Sequence, residues 1–225
     1  MHRVTHHGIT LSDPYAWLRD PGYPEVTDPD VLGYLEAENR WFESEMADLK
    51  PLVNTLFEEL KSRQPEDDAS VPYLDNGYMY QWRFAEGDQY RTWWRWPADE
   101  SNEQHVEQPC RQPEGAQCFL NEPELARDHD FFRLGGLSVS PNGRYLAYSV
   151  DTNGSERYSL RVIDLDDEQH FAEQVDNTGG GVTWSQDNTT FFYTQLSEQW
   201  RPYQAKRHKL GTQAEKDTVV YTEHD

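Results

Sequence analysis

Apolar positions along the chain fall into two regimes that change over near residue 68. Leu32, Leu35, Phe42, Met46 and Leu49 recur at three-to-four spacing, with Asn39 in the open slot. That period predicts a helix with one buried face. Thr27 or Asp28 can cap it, with Pro29 near its first position. Pro51 breaks or restarts the pattern, and Leu52, Val53, Leu56, Phe57 and Leu60 mark a second, shorter helix. Gln64-Pro65-Glu66-Asp67-Asp68 is a polar stop. The first 65 residues read as helical throughout.

Beyond it the period is two. Tyr78–Phe84 and Tyr90–Trp96 read as a hairpin, and Gln117–Leu120 as a short strand after a long polar loop over Asp99–Gln117. Leu137–Tyr148 is strand, turn, strand, and Val182–Tyr193 repeats that shape. Ser140 aligns with Ser185 and Tyr148 with Tyr193, each 45 residues on. Further strands are predicted at Tyr158–Leu165, Gln204–Leu210 and Val219–Tyr221. A period near 45 with about four strands is the size of a propeller blade. The expected fold is therefore mainly β: a helical arm over 1–67, then part of a β-propeller over 68–225. Its blade-like units are expected at about 69–132, 133–178 and 179–225. A closed propeller needs at least four blades, so the chain reads as cut off within a larger ring.

Composition sharpens this picture. With 41 Asp+Glu against 20 Lys+Arg, the formal charge is −21. That argues against nucleic-acid partners and against an anionic membrane surface, both of which need a basic face. Ile, Leu, Val and Phe total 42 of 225 residues, which is low for a globular chain, whereas 8 Trp and 13 Tyr argue for a folded one. The expected core is aromatic-rich and small, with open strand edges that invite self-association. No run is long and apolar enough for a membrane helix and Met1–Gly8 does not resemble a signal peptide. Two cysteines, Cys110 and Cys118, suit a reducing cytoplasm, although a local disulfide between them stays open.

Candidate chemistry is sparse. Gly136-Leu137-Ser138-Val139-Ser140 lacks the second glycine of a nucleophile elbow, and no helix follows it. His105, Cys110, Cys118 and His129 have no standard zinc spacing, and Asp128-His129-Asp130 reads as a turn. His2, His6 and His7 read as a surface terminus. Gly179-Gly180-Gly181 precedes a strand instead of opening a helix, so it reads as a flexible turn between blades, not a phosphate cradle. Trp93, Trp94 and Trp96 read as packing residues, since no basic groove accompanies them for stacking bases. No catalytic, cofactor-binding or metal residue is assigned, and no cofactor is expected.

Several blocks in register resemble the prolyl oligopeptidase family of serine peptidases. These are His7–Thr10 with Asp13-Pro14-Tyr15-Ala16-Trp17-Leu18-Arg19-Asp20, then Tyr34–Asn39. Leu18-Arg19-Asp20, Val71-Pro72-Tyr73, Asn76–Tyr80, Leu134–Pro141, Arg207–Thr212 and Val219–Tyr221 lean towards its oligopeptidase B (protease II) branch. The resemblance implies a seven-bladed propeller sitting over an α/β-hydrolase domain and restricting access to short peptides, with the N-terminal arm packed on that domain. It implies cleavage after Arg or Lys by Ser, Asp and His residues of the C-terminal domain, onto which no residue here maps. This chain alone is then expected to be inactive. The alternative is a non-enzymatic propeller-type binding module. The arm favours the family reading.

Overall fold

The computed structural model describes residues 2–23, 25–65, 67–98 and 114–224. The chain divides into two compact units, Met1–Pro65 and Glu66–Asp225.

The first unit opens with a hairpin of β1 (His2–His6) and β2 (Ile9–Asp13), where helical chain was expected. Its two-residue turn places His7 and Gly8 at φ of 51° and 78°, the left-handed geometry that matches strand twist. The buried Asp20 organises the next loop: its carboxylate accepts the backbone N–H groups of Gly22 (2.7 Å), Thr27 (2.7 Å) and Asp28 (2.9 Å). Those donors, Asp28 foremost, hold its carboxyl below the usual range. Asp28 then caps helix α1 (Pro29–Met46) through the N–H of Asp30 at 2.9 Å. A 3₁₀ turn at Ala47–Leu49 leads into α2 (Lys50–Ser62), with Pro51 in its first turn, where its missing N–H costs nothing. The stripe expected to be buried is not covered within the unit. Phe42 is 58% and Leu35 46% exposed, and Val31 is the buried residue of α1.

The second unit holds two antiparallel sheets. One is five-stranded: β3 (Asp68–Ala69) and β4 (Tyr73–Asp75) pair with β5 (Tyr78–Phe84), which pairs with β6 (Thr92–Pro97), then β7 (Gln117–Asn121). A short helix α3 (Glu122–Ala126), absent from the sequence expectation, follows β7 behind an Asn121 cap. The other sheet is eight-stranded. It runs β8 (Arg133–Val139), β9 (Tyr145–Asp151), β10 (Tyr158–Asp164), β12 (Val175–Trp184), β13 (Thr190–Leu196), β14 (Pro202–Lys209) and β15 (Thr218–Thr222). The eighth strand, β11 (Gln169–His170), pairs β10.

The repeat is written in the backbone hydrogen bonds. Leu165 N–H donates to Arg144 O, Leu210 to Thr189 O and Ala98 to Gly77 O, at 2.8, 2.8 and 2.9 Å, always across 21 residues. The Ser140 N–H to Tyr145 O bond recurs as Ser185 to Thr190, both 2.8 Å. Gly143 and Asn188 fill the same left-handed turn position at φ of 77° and 60°. The same hydrogen-bonded hairpin therefore recurs three times among the described residues, each with its flanking strands making one copy.

Two cores separate them. Tyr80, Phe119 and Leu120 meet Leu146, Tyr148 and Ile163 between the first and second copies. Ala147, Leu160 and Val162 meet Trp184, Phe191 and Tyr193 between the second and third. Successive residues of β9 thus enter opposite cores, as a strand's period of two requires. The middle copy is sandwiched, which explains its unbroken burial from Leu146 to Asp151.

The triple glycine is not a turn. It lies inside β12, where Thr178 pairs both Tyr158 of β10 and Gln195 of β13 while Val182 pairs only Tyr193. One strand thus closes the second copy and opens the third. Gly180 takes φ +87°, and its carbonyl accepts the Ser149 hydroxyl at 2.6 Å. A Cβ on Gly136 would stand 2.9 Å from that carbonyl oxygen. The glycines permit close backbone packing.

Candidate binding cleft

The turns β5–β6, β9–β10 and β13–β14 share one end of the strands with the starts of β8 and β12, and the buried Glu122, Ser149, Asp151 and Thr178 lie there. Asp151, 1% exposed, ties the β9–β10 turn by accepting the N–H groups of Asn153, Gly154 and Glu156. Arg157 lies 4.2 Å over the Trp200 ring and spends its donors on Asn177 Oδ1 and the carbonyls of Ser197 and Glu198.

Between the first two copies this end opens into a cleft of about 350 Å³. Phe84, Tyr90, Phe132 and Leu134 supply its apolar walls, and Gln89, Arg91, Glu122 and Arg133 its polar groups. Tyr90 and Phe132 meet edge to face at 5.4 Å. Glu122 is 6% exposed, and its Oε1 accepts Trp93 Nε1–H at 2.7 Å. Burial pushes its carboxyl above the usual range, against that bond and the nearby Arg91 charge. The Arg91 guanidinium lies 5.0 Å from the Trp82 ring centroid, 5.6 Å from Phe84 and 6.0 Å from Trp93. Unlike Arg157, it donates no hydrogen bond among the described residues. Arg133 pairs with Glu156 at 3.0 Å, both largely exposed.

The residues weighed from sequence lie apart. Ser138 sits in β8, its carbonyl accepting Trp184 Nε1–H at 2.9 Å. His105 and Cys110 fall outside the described residues, as does most of the Asp99–Gln117 loop, and with Cys110 any pairing to Cys118. His129 is an exposed residue in the turn after α3. Among the described residues no group of three or more His, Cys, Asp or Glu could hold a metal. His2, His6 and His7 lie on the exposed terminal hairpin. Of the tryptophans, Trp93 faces Glu122 and Trp96 is buried. Arg91 and Glu122 escaped sequence reading because a charged residue beside a strand or in a helix's first turn ordinarily faces solvent. The one signal was an arginine set among Trp82, Phe84 and Trp93.

The family profile described as "Prolyl oligopeptidase, N-terminal beta-propeller domain" matches residues 1–225. The chain belongs to that family. It is 35% identical over 223 residues to dipeptidyl aminopeptidase BI of Pseudoxanthomonas mexicana, covering 97% of this chain and 30% of the relative. It is 28% identical over 221 residues to protease 2 of Moraxella lacunata, covering 97% and 30%. Oligopeptidase B from Leishmania major superposes with a TM-score of 0.82 at 27% identity, over 96% of this chain and 29% of that one. The chain thus spans about three tenths of the relatives it matches. The mainly β architecture with its helical arm is that of the N-terminal propeller domain of this family. No helix among the described residues is long and apolar enough to cross a membrane.

Proposed function

We propose that this chain forms the opening blades, about 69–132, 133–178 and 179–225, of a propeller that restricts a peptidase's active site to short peptides. Residues 1–67 form the arm that packs on a C-terminal hydrolase domain, and that domain carries the Ser, Asp and His of catalysis. No residue of this chain takes a catalytic, cofactor or metal role. The enclosing protein works in the cytoplasm and cleaves after Arg or Lys. The observation that carries this reading is the recurrence of one hydrogen-bonded unit three times within a chain matched throughout by the family's propeller domain.

The test is a panel of fluorogenic peptides on the full-length protein that contains this chain. Cleavage after Arg and Lys is expected, lost as the peptide lengthens, and blocked by a serine-directed phosphonate. The isolated chain should give no turnover. Long and short peptides cut equally well would overturn the access role. A second reading, release of N-terminal dipeptides, is favoured by the higher identity to the dipeptidyl aminopeptidase than to protease 2. Blocking the substrate's amino terminus separates the two.

A further inference from the structure

The cleft between the first two copies has a use beyond packing. Arginine is a planar fork that matches a carboxylate with two parallel N–H donors. Arg91 sits among Trp82, Phe84 and Trp93 without spending those donors on the described residues. Arg157, at the same end and also stacked on tryptophan, spends its own on neighbouring turns. The difference is therefore in the site and not in how this fold treats arginine. Arg133 brings a second cation to the cleft. Its pairing with Glu156 is exposed, worth little, and readily exchanged for another carboxylate.

Glu122 offsets part of the Arg91 charge, but with Arg133 the lining still holds two cations against one carboxyl. That carboxyl is buried, and its Oε1 is engaged by the Trp93 indole. The remaining walls, Tyr90, Phe132 and Leu134, are apolar, and about 350 Å³ is the lower range of small-ligand pockets, enough for one or two residues of a peptide.

We propose that this cleft binds the C-terminal carboxylate of a short peptide. Arg91 receives the carboxylate, Arg133 supports it, and an apolar last side chain lies against Phe132 and Leu134. A bare phosphate would leave the apolar walls unused. A peptide amine would meet two guanidinium groups. The proposal rests on the reading that peptides reach this domain. It is tested by binding without cleavage, so its failure leaves the peptidase assignment intact.

The experiment is titration calorimetry on the whole 225-residue chain with two N-acetylated tripeptides ending in Phe, one with a free carboxylate and one amidated. The free acid should bind about tenfold more tightly, as expected for losing one charge-assisted pair. Arg91→Gln should abolish that preference with an unchanged circular dichroism spectrum. Arg133→Gln should reduce it, and serves as the second variant if Arg91→Gln does not fold. Equal binding of acid and amide by the wild-type chain would overturn the proposal. So would a preference that survives both substitutions, or inorganic phosphate competing as strongly as the peptide acid.

Discussion

The helical arm and the repeated blades make opposite use of the same residue types. In α1 and α2 the large apolar side chains stand out from the unit: Trp41 is 62%, Phe57 61% and Leu60 62% exposed. In the middle copy Leu146, Ala147 and Tyr148 are each 0% exposed, because successive residues enter the two flanking cores. Helical periodicity in the arm predicts a partner face, but that face is not within its own unit. Alternation in a strand between two cores produces its partners within the same unit. The teaching is that amphipathic pattern reports what a segment needs to cover, and topology decides whether the segment supplies it.

Core truncation should break the comparison most strongly if it is wrong. Phe191 is 0% exposed and touches Trp184, Tyr193 and His208, so Phe191→Ala should cost about 3–5 kcal/mol in urea denaturation. Phe57→Ala in the arm should stay within about 0.5 kcal/mol. Equal costs would mean that the arm's apolar face is covered in solution.

Glycine substitution should split the two regions by sign. A Cβ on Gly135 would stand 2.4 Å from the Tyr158 ring and 2.7 Å from Ser149 Oγ, so Gly135→Ala should destabilise by about 1–3 kcal/mol. Gly33 in α1 has no atom within 4 Å of such a Cβ, so Gly33→Ala should raise helix stability by about 0.5–1 kcal/mol. Thermal melts of both variants decide it.

A polar contact sharpens the account of the blades. Tyr193 donates to Asp217 Oδ2 at 2.8 Å, and His208 Nδ1 meets Oδ1 at 2.8 Å, in a site where both the histidine and aspartate side chains are buried. Tyr193→Phe should cost about 1.5 kcal/mol at neutral pH by leaving a buried carboxylate oxygen without that donor. Burial, followed by the Asp217 bond, holds the Tyr193 hydroxyl well above its ordinary value of 10. A raised folded value contributes stability that is fully present below pH 10 and is lost as pH climbs beyond it. Wild type should therefore lose stability above pH 10 more steeply than Tyr193→Phe, measured by urea midpoints from pH 8 to 11.

The smallest effect belongs to the arm's surface. Arg40 and Glu36 lie 3.7 Å apart, both about 70% exposed, so Arg40→Ala should move stability by no more than about 0.5 kcal/mol. A larger loss would show this helix surface to be packed.

Legibility followed the same divide. The 45-residue repeat was readable because each copy needs the same turn after its first strand, and Ser140 and Ser185 mark it directly. The hairpin β5–β6 was readable from its alternation, with its second strand starting at Thr92 instead of Tyr90. The terminal hairpin was not read, since its alternation rests on three apolar residues, Val4, Ile9 and Leu11, in stretches of five residues beside a long helical pattern. His7-Gly8 was its one signal. The triple glycine was misread because flexibility and tight packing select the same residue, and only the approach of Gly136 to Gly180 tells them apart. The cleft was hidden because its walls come from the end of β5, the β5–β6 turn, α3 and the start of β8, brought together by tertiary packing alone.

The strand β12 also bears on how such a domain can gain or lose a blade. Its first half completes one copy and its second half begins the next, so the boundary between repeats runs through a paired strand and not through a loop. Excision at Gly179 would leave Thr178 with its hydroxyl on the Tyr158 carbonyl but strip away Gly180, the acceptor of the Ser149 hydroxyl. Duplication or loss of a unit therefore has to move the seam with it, carrying the half-strand that belongs to the neighbour. Length drift is free elsewhere: the shared hydrogen bond recurs 67 residues from the first copy to the second but 45 from the second to the third. The extra chain lies between Ala98 and Arg144, outside β12, so the spacing of the copies can grow without touching that strand.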